Sequence, residues 1–252
     1  MLNQPTIEKL RKLKLTGMAN AFEEQLKSPI TDLDFEDRLG LMIEQELILR
    51  ENRKLKRLLN KAKLQQNACL EDISYEPSRG LVKSKIVELS RNQWLQQHLN
   101  LLITGATGCG KTYIACALAH RACLDGKTCK YYRLPRLWEE LKIAKANGTY
   151  SQWLAQLAKT ELLILDDWGL VATDPERRQD LLEILDDRYQ KRSTIVCSQL
   201  PISCWHEHLQ DATFADAILD RIIHNAIRIE LQGETMRKKQ PDMDNIVFVD
   251  AK

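Results

Sequence analysis

The octapeptide GATGCGKT, Gly105 to Thr112, follows the apolar run LNLLI and precedes a helical pattern. It satisfies G-x-x-x-x-G-K-[ST], a loop whose glycines let backbone N–H groups converge on phosphate oxygens at a helix N-terminus. There Lys111 delivers charge to the terminal phosphates of a nucleotide, and the Thr112 hydroxyl serves Mg2+. The cradle is expected to comprise Gly105, Thr107, Gly108, Cys109, Gly110, Lys111, Thr112 and Tyr113. Further on, LLILDDWG (Leu162 to Gly169) ends an apolar run in two carboxylates. A carboxylate at such a strand end belongs beside the metal held at Thr112. Asp166 is therefore the second metal-side group, and Asp167 the candidate general base or water-orienting acid. Many strands end in Asp, but the order of this one after the phosphate loop makes the pair specific.

Both motifs need strands and helices to hold them. From about Asn92, short apolar runs (LNLLITG, KTCKYYRL, ELLILDD, STIVCSQ) alternate with helical patterns (TYIACALAHRACLDG, PRLWEELKIAKANG, PERRQDLLEILDDRYQKR). This alternation implies an α/β fold, a parallel sheet with helices on both faces, and fully apolar strands suit burial on both sides. Upstream the chain reads as helical. Leu15, Met18, Ala19, Phe22 and Leu26 recur at three- and four-residue steps, and Pro29 should end that helix. A longer helix is expected from about Phe35 to about Lys63, with Leu39, Met42, Ile43, Leu47, Leu55, Leu58 and Leu59 as its apolar stripe. EDISYEPSRG carries Pro77, Ser78 and Gly80 and reads as a loop. The expected organisation is a helical N-terminal domain (1–70), a linker (71–91) and a nucleotide-binding domain (92–252).

Composition narrows the setting. The 252 residues are 44% hydrophobic and 29% charged, with no apolar run long enough for a membrane span. The N-terminus MLNQPTIEKLRKLKL puts charges where a signal peptide needs an apolar core, so a cytoplasmic protein is expected. Seven cysteines without a C-x-x-C pair fit neither a disulfide framework nor a zinc site and read as structural thiols. The net charge of +2 is unevenly spread. ENRKLKRLLNKAK (Glu51 to Lys63) holds six basic side chains against one acidic one. Such a block is commonly a solvated helix face, and near a helix C-terminus part of it is dipole complement. In a protein that binds DNA, Arg50, Arg53, Lys54, Arg57, Lys61 and Lys63 would instead contact phosphates, which is sequence-independent binding.

A phosphate loop with a carboxylate strand is shared by kinases, GTPases and motors. No N/T-K-x-D element follows the carboxylate strand, which argues against a GTPase. STIVCSQ ends in the polar residues Ser198 and Gln199, and the phosphate-sensing strand of AAA+ ATPases likewise has a polar end, though usually Asn or Thr. The run SQLPISCWHEHLQDATFADAILDRIIHNAIRIELQGETMR (Ser198 to Arg237) resembles the IstB-like insertion-sequence helper ATPases, relatives of the DnaC-type helicase loaders. LRKLKLTGMANAFEEQL and RENRKLKRLLNKAKL resemble the helical N-terminal region of the same family.

This resemblance implies an AAA+ P-loop NTPase behind a small all-helical domain. It implies ATP and Mg2+ as cofactors, and an ATP-controlled homo-oligomer that binds or remodels double-stranded target DNA and recruits or activates the transposase of its element. By the same resemblance Lys111 and Thr112 match the phosphate loop and Asp166 the metal-side acid. Asp167 stands where most AAA+ members carry Glu, and its shorter side chain would hold water less far from the strand. Gln199 matches the sensor-1 place, Arg221 in ILDRI the arginine finger that enters a neighbour's site, and Arg237 in GETMR the sensor-2 arginine. Plainer readings stand beside these. Arg221 and Arg228 also read as surface charge on an amphipathic helix, and Arg237 opens the cationic run RKK. Asp186, Asp187 and Arg188 read as solvated helix-end charge, and His206, His208 and His224 as locally hydrogen-bonded side chains. Trp94 is expected in the core. The alternative functions are a helicase loader of the DnaC type, a small-molecule kinase and a non-hydrolysing switch.

Overall fold

Strands apolar along their whole length must be covered on both faces, and the chain achieves this with a five-stranded, all-parallel sheet. The computed structural model describes residues 3–27, 33–233 and 235–236. Pro29 and Arg237 lie outside the described residues. Two units, each with its own internal contacts, divide between Asn60 and Lys61.

The first unit is helical: α1 (Asn3–Lys12), α2 (Thr16–Lys27) and α3 (Phe35–Ala62), the last two residues of α3 belonging to the second unit. A left-handed Lys14 turns the chain between α1 and α2. Gly17 permits α2 to touch α3, because a Cβ there would fall 2.6 Å from the Glu46 Cα. The buried Glu46 carboxylate accepts the Gly17 and Met18 N–H groups at 2.6 and 3.3 Å and Arg50 Nε at 2.7 Å. An anion thus meets the free donors of a helix N-terminus. The helical period is as expected, but Leu26, Ile43 and Leu47 are exposed rather than core residues.

In the second unit the chain runs α4 (Lys83–Ser90), α5 (Gln93–Gln96), β1 (Asn100–Gly105), α6 (Lys111–Leu124), β2 (Cys129–Arg133), α7 (Leu134–Ala146) and α8 (Tyr150–Lys159). It continues through β3 (Leu162–Trp168), α9 (Pro175–Arg188), β4 (Ser193–Ser198), α10 (Trp205–Leu209), α11 (Ala212–Ile223) and β5 (Ala226–Leu231). The strand order is β2-β3-β4-β1-β5, so β4 separates the phosphate-loop strand from the carboxylate strand. Side chains of alternate residues face opposite sides of a strand. Leu102, Leu163, Leu165 and Val196 join the core made with α7, α8, α9 and α11. The other face is covered by α6, buried nearly all round, whose Ala115, Ala117, Ala119, Cys116 and Cys123 allow close approach. No helix among the described residues is long and apolar enough to cross a membrane.

Several features depart from the sequence reading. The stretch 71–91 holds a 3-10 turn (Pro77–Arg79) and α4, with Leu81, Ile86 and Leu89 buried, and belongs to the second unit. Arg228 sits on edge strand β5, not on a helix, and its carbonyl accepts Lys85 Nζ. Arg188 is not solvated, being only 2% exposed. Its guanidinium donates to the carbonyls of Leu157, Thr160 and Ser193 at 2.8, 2.8 and 2.6 Å and to Thr194 Oγ1 at 3.2 Å. The charge expected at a helix end therefore ties α9 to α8 and β4. Trp94 is buried, its Nε1 donating to the Leu89 carbonyl at 2.9 Å.

Candidate nucleotide site

In a parallel sheet the strands' C-terminal ends open together, and crevices there take ligands. The segments following β1, β3 and β4 meet at that edge. The loop after β1 leads into α6, whose N-terminal N–H groups are free for anions. Gly110, left-handed at φ +93, is the turn into the helix. Lys111 Nζ donates to the Gly105 and Ala106 carbonyls at 2.7 and 2.8 Å, spanning the loop it closes. Cys109 is buried, its Sγ 4.0 Å from Lys111 Nζ, so its side chain lies under the loop and only its backbone fronts the cradle. Tyr113 Oη is 3.4 Å from both the N and the O of Cys69. A cleft of about 570 Å³ is lined by Gly108, Gly110, Lys111, Thr112 and Tyr113, with Arg79 and Asp72–Ser74 opposite.

Asp166 is buried at the end of β3 and accepts three bonds. Thr112 Oγ1 and Tyr131 Oη each donate to Oδ2 at 2.7 Å, and the Asp167 N–H donates to Oδ1 at 2.8 Å. Burial first, then the Asp166 charge, raises the Tyr131 hydroxyl pKa, so Tyr131 stays a donor. The Thr112 hydroxyl and Asp166 carboxylate are hard oxygen ligands in contact. That fits Mg2+, which takes one or two carboxylates and substrate phosphates rather than an all-protein cage. Among the described residues no group of three or more His, Cys, Asp or Glu could hold a metal. His206 instead meets Asp216 at 3.2 Å.

Asp167 has φ +60, and between Leu165 and Trp168 the β3–β4 register slips by one residue. The extra residue is a bulge, a device that re-aims side chains beside functional sites. Asp167 there meets Arg133 Nε of β2 at 2.5 Å. That hydrogen bond and the carboxylate charge raise the Arg133 pKa. The acid expected to orient water is thus held by a cation that the sequence reading missed.

Gln199 follows β4 and accepts Thr107 Oγ1 at 2.7 Å, reaching the phosphate loop from the interposed strand. Ser198 is structural, accepting the Leu200 N–H and donating to the Trp168 carbonyl. Arg221 of α11 pairs with Asp186 Oδ1 at 2.6 Å and lies over the Tyr189 ring. Neither this bond nor the one Arg221 donates to the Ala217 carbonyl at 2.8 Å reaches the phosphate loop of its own chain. The basic side chains of the first helices are exposed: Arg50, Arg53, Lys54, Arg57, Lys61 and Lys63. At 100° per residue, Arg50, Arg53, Lys54, Arg57 and Lys61 fall within an arc of about 100° on α3. Arg50 is committed to Glu46, and Lys63 lies just past the helix with φ 50.

Sequence reasoning missed Tyr131, Arg133 and Arg79. Tyr131 and Arg133 had one signal, polar residues closing a strand next to the carboxylate strand. Arg79 had none beyond its place in a Pro-Ser-Arg-Gly turn.

The chain is similar to known proteins along almost all of its length. It is 46% identical over 95% of its residues to a Sinorhizobium fredii protein named as an insertion sequence ATP-binding protein, y4pL, covering 98% of that relative. It is 48% identical over 81% of its residues to the Pseudomonas fluorescens protein named as the ATP-binding protein of insertion sequence IS1162, covering 89% of it. The crystal structure of the DnaC helicase loader superposes with a TM-score of 0.57 at 20% identity, over 68% of this chain and all of that one (100%). That likeness shows the fold, an AAA+ P-loop sheet. Residues 8–243 match the family described as IstB-like ATP binding protein, and the chain belongs to that family.

Proposed function

We propose that this protein is an ATP-dependent DNA-binding helper of DNA transposition. ATP with Mg2+ at the cleft controls assembly of a homo-oligomer on double-stranded DNA in the cytoplasm. The assembly recruits or activates the transposase of the same element. The observation that carries this reading is the convergence of Lys111, the Thr112–Asp166 pair and Gln199 at one sheet edge, in a chain whose relatives are named for insertion sequences.

The chain's own residues divide the work. The loop N–H groups and Lys111 bind phosphates, and Thr112 and Asp166 hold the metal. When bound, Mg2+ neutralises charge on the phosphate oxygens. Asp167 orients the attacking water once it leaves Arg133, and Gln199 senses the terminal phosphate. Arg221, on exchanging Asp186 for a neighbour's nucleotide, and Arg237 stabilise developing charge. The cationic side of α3 takes DNA phosphates regardless of sequence.

DNA-stimulated ATP turnover and ATP-dependent assembly on duplex DNA, seen by electron microscopy with a non-hydrolysable analogue, test the reading. A protein that remains monomeric with ATP and duplex would overturn it. In the Arg53/Lys54/Arg57 triple alanine variant, loss of three phosphate contacts should flatten the slope of log affinity against log salt by about 2.7. An unchanged slope would remove α3 from the DNA interface.

A further inference from the structure

The phosphate loop is gripped from outside by two chain segments. On one side Thr235 and Met236 lie against it. The Met236 N–H donates to the Gly108 carbonyl at 2.9 Å, and Thr235 occupies the space a side chain at 108 would need. On the other side lies the turn Pro77–Arg79, whose Arg79 carbonyl accepts the Gln232 N–H at 3.0 Å. From this turn the Arg79 side chain, 6% exposed, enters the cleft. One terminal nitrogen donates to the Ser74 carbonyl and the other to the Cys109 carbonyl at 2.9 Å. Its Nε is buried without a partner among the described residues. A Cβ on Gly110 would meet the guanidinium at 2.8 Å.

The Cys109 carbonyl and the Gly110 N–H belong to one peptide unit. Rotating that unit exchanges the directions of its acceptor and donor. Of the two residues flanking that unit, Gly110, at φ +93, opposes such a rotation little, because glycine populates both signs of φ with ease. A flipped unit would turn a carbonyl where an N–H must face phosphate. The Arg79–Cys109 bond opposes the flip, since it holds the carbonyl on the guanidinium with a charged donor.

We infer that Arg79 is a positioning residue of the nucleotide site: by holding the Cys109 carbonyl it keeps the Gly110 N–H directed at the phosphates, and by holding the Ser74 carbonyl it fastens the opposite wall of the cleft to the loop. The inference rests on the ATP reading above. Arg79 acts through the loop backbone, so its loss weakens nucleotide binding more than it slows turnover at saturation.

The test is equilibrium binding of a fluorescent ATP analogue with Mg2+ to the full-length wild type, Arg79→Ala, Arg79→Lys and Lys111→Ala. Arg79→Ala should bind at least tenfold more weakly, with KM raised by a similar factor and kcat changed less. Arg79→Lys, which reaches one carbonyl at a time, should fall between it and wild type. Millimolar methylguanidinium should restore affinity to Arg79→Ala without changing wild-type binding, which a merely structural defect would not permit. If Arg79→Ala does not fold, Arg79→Lys carries the test. Wild-type affinity in every Arg79 variant that folds, or a loss that falls on kcat with KM unchanged, would overturn the inference while the ATP reading stood. Failure of the wild type itself to bind, or Lys111→Ala binding like it, would overturn the ATP reading instead.

Discussion

Tyr131→Phe removes one atom that the site depends on. Tyr131 and Asp166 are 6% and 4% exposed, so water screens their 2.7 Å bond little. The phenyl ring keeps the packing of the buried side chain, and Asp166 keeps Thr112 and the Asp167 N–H. What is lost is one hydrogen bond to an ionised group, worth about 1.5–3 kcal/mol. Taking about 2 kcal/mol and the 2–4 °C per kcal/mol usual for a domain of this size, the midpoint should fall by about 4–8 °C. All five tryptophans lie in the second unit, so their fluorescence follows that unit alone through denaturant unfolding. The midpoint should move with an unchanged slope. A double-mutant cycle with Asp166→Asn should return a coupling of about 1–3 kcal/mol. Stability within about 0.5 kcal/mol of wild type, or no coupling, would refute the claim that Tyr131 holds the carboxylate.

In Glu46, burial opposes the charge, but Arg50 and the Gly17 and Met18 N–H groups prevail and hold the pKa below its ordinary value. A depressed folded pKa contributes stability above the unfolded value and loses it as pH falls through the folded one. Glu46→Gln should therefore melt earlier than wild type at pH 7, with the gap closing as pH falls below about 4 in circular-dichroism melts. Arg133→Ala frees Asp167 and should raise basal ATP turnover severalfold in a phosphate-release assay; slower turnover would mean that Arg133 assists the acid. Arg188→Met strands three carbonyls in the interior and should cost more than about 3 kcal/mol, read by the same tryptophan fluorescence.

What could be read from the sequence was chemistry whose parts are close together along it. GATGCGKT carries its own glycines, cation and hydroxyl, and LLILDD its own strand and acids, so both announced their places and the α/β alternation placed them at one edge. Contacts made across long chain separations left no such trace. Tyr131 reaches Asp166 over 35 positions and Arg79 reaches Cys109 over 30, and only folding brings them together. β5 was hidden because an edge strand is half exposed and AIRIEL follows the helical pattern ILDRII with only two residues between, although its own alternation has the period of a strand. Arg188 misled for a related reason: charge at a helix end is usually solvated, and nothing local reveals the carbonyls that wait for it.

The two clamps on the phosphate loop affect how its glycines are to be interpreted. A side chain at 108 would strike Thr235 and one at 110 would strike Arg79, whether or not any phosphate is present. Glycine at these positions is over-determined, required by the loop's dihedral angles, by its ligand and by the protein's own walls. A loss of function on replacing either glycine would therefore not distinguish lost phosphate contact from displaced walls. At Lys111 a smaller side chain would strike no wall, so a substitution there speaks for the ammonium itself, which now bridges the Gly105 and Ala106 carbonyls.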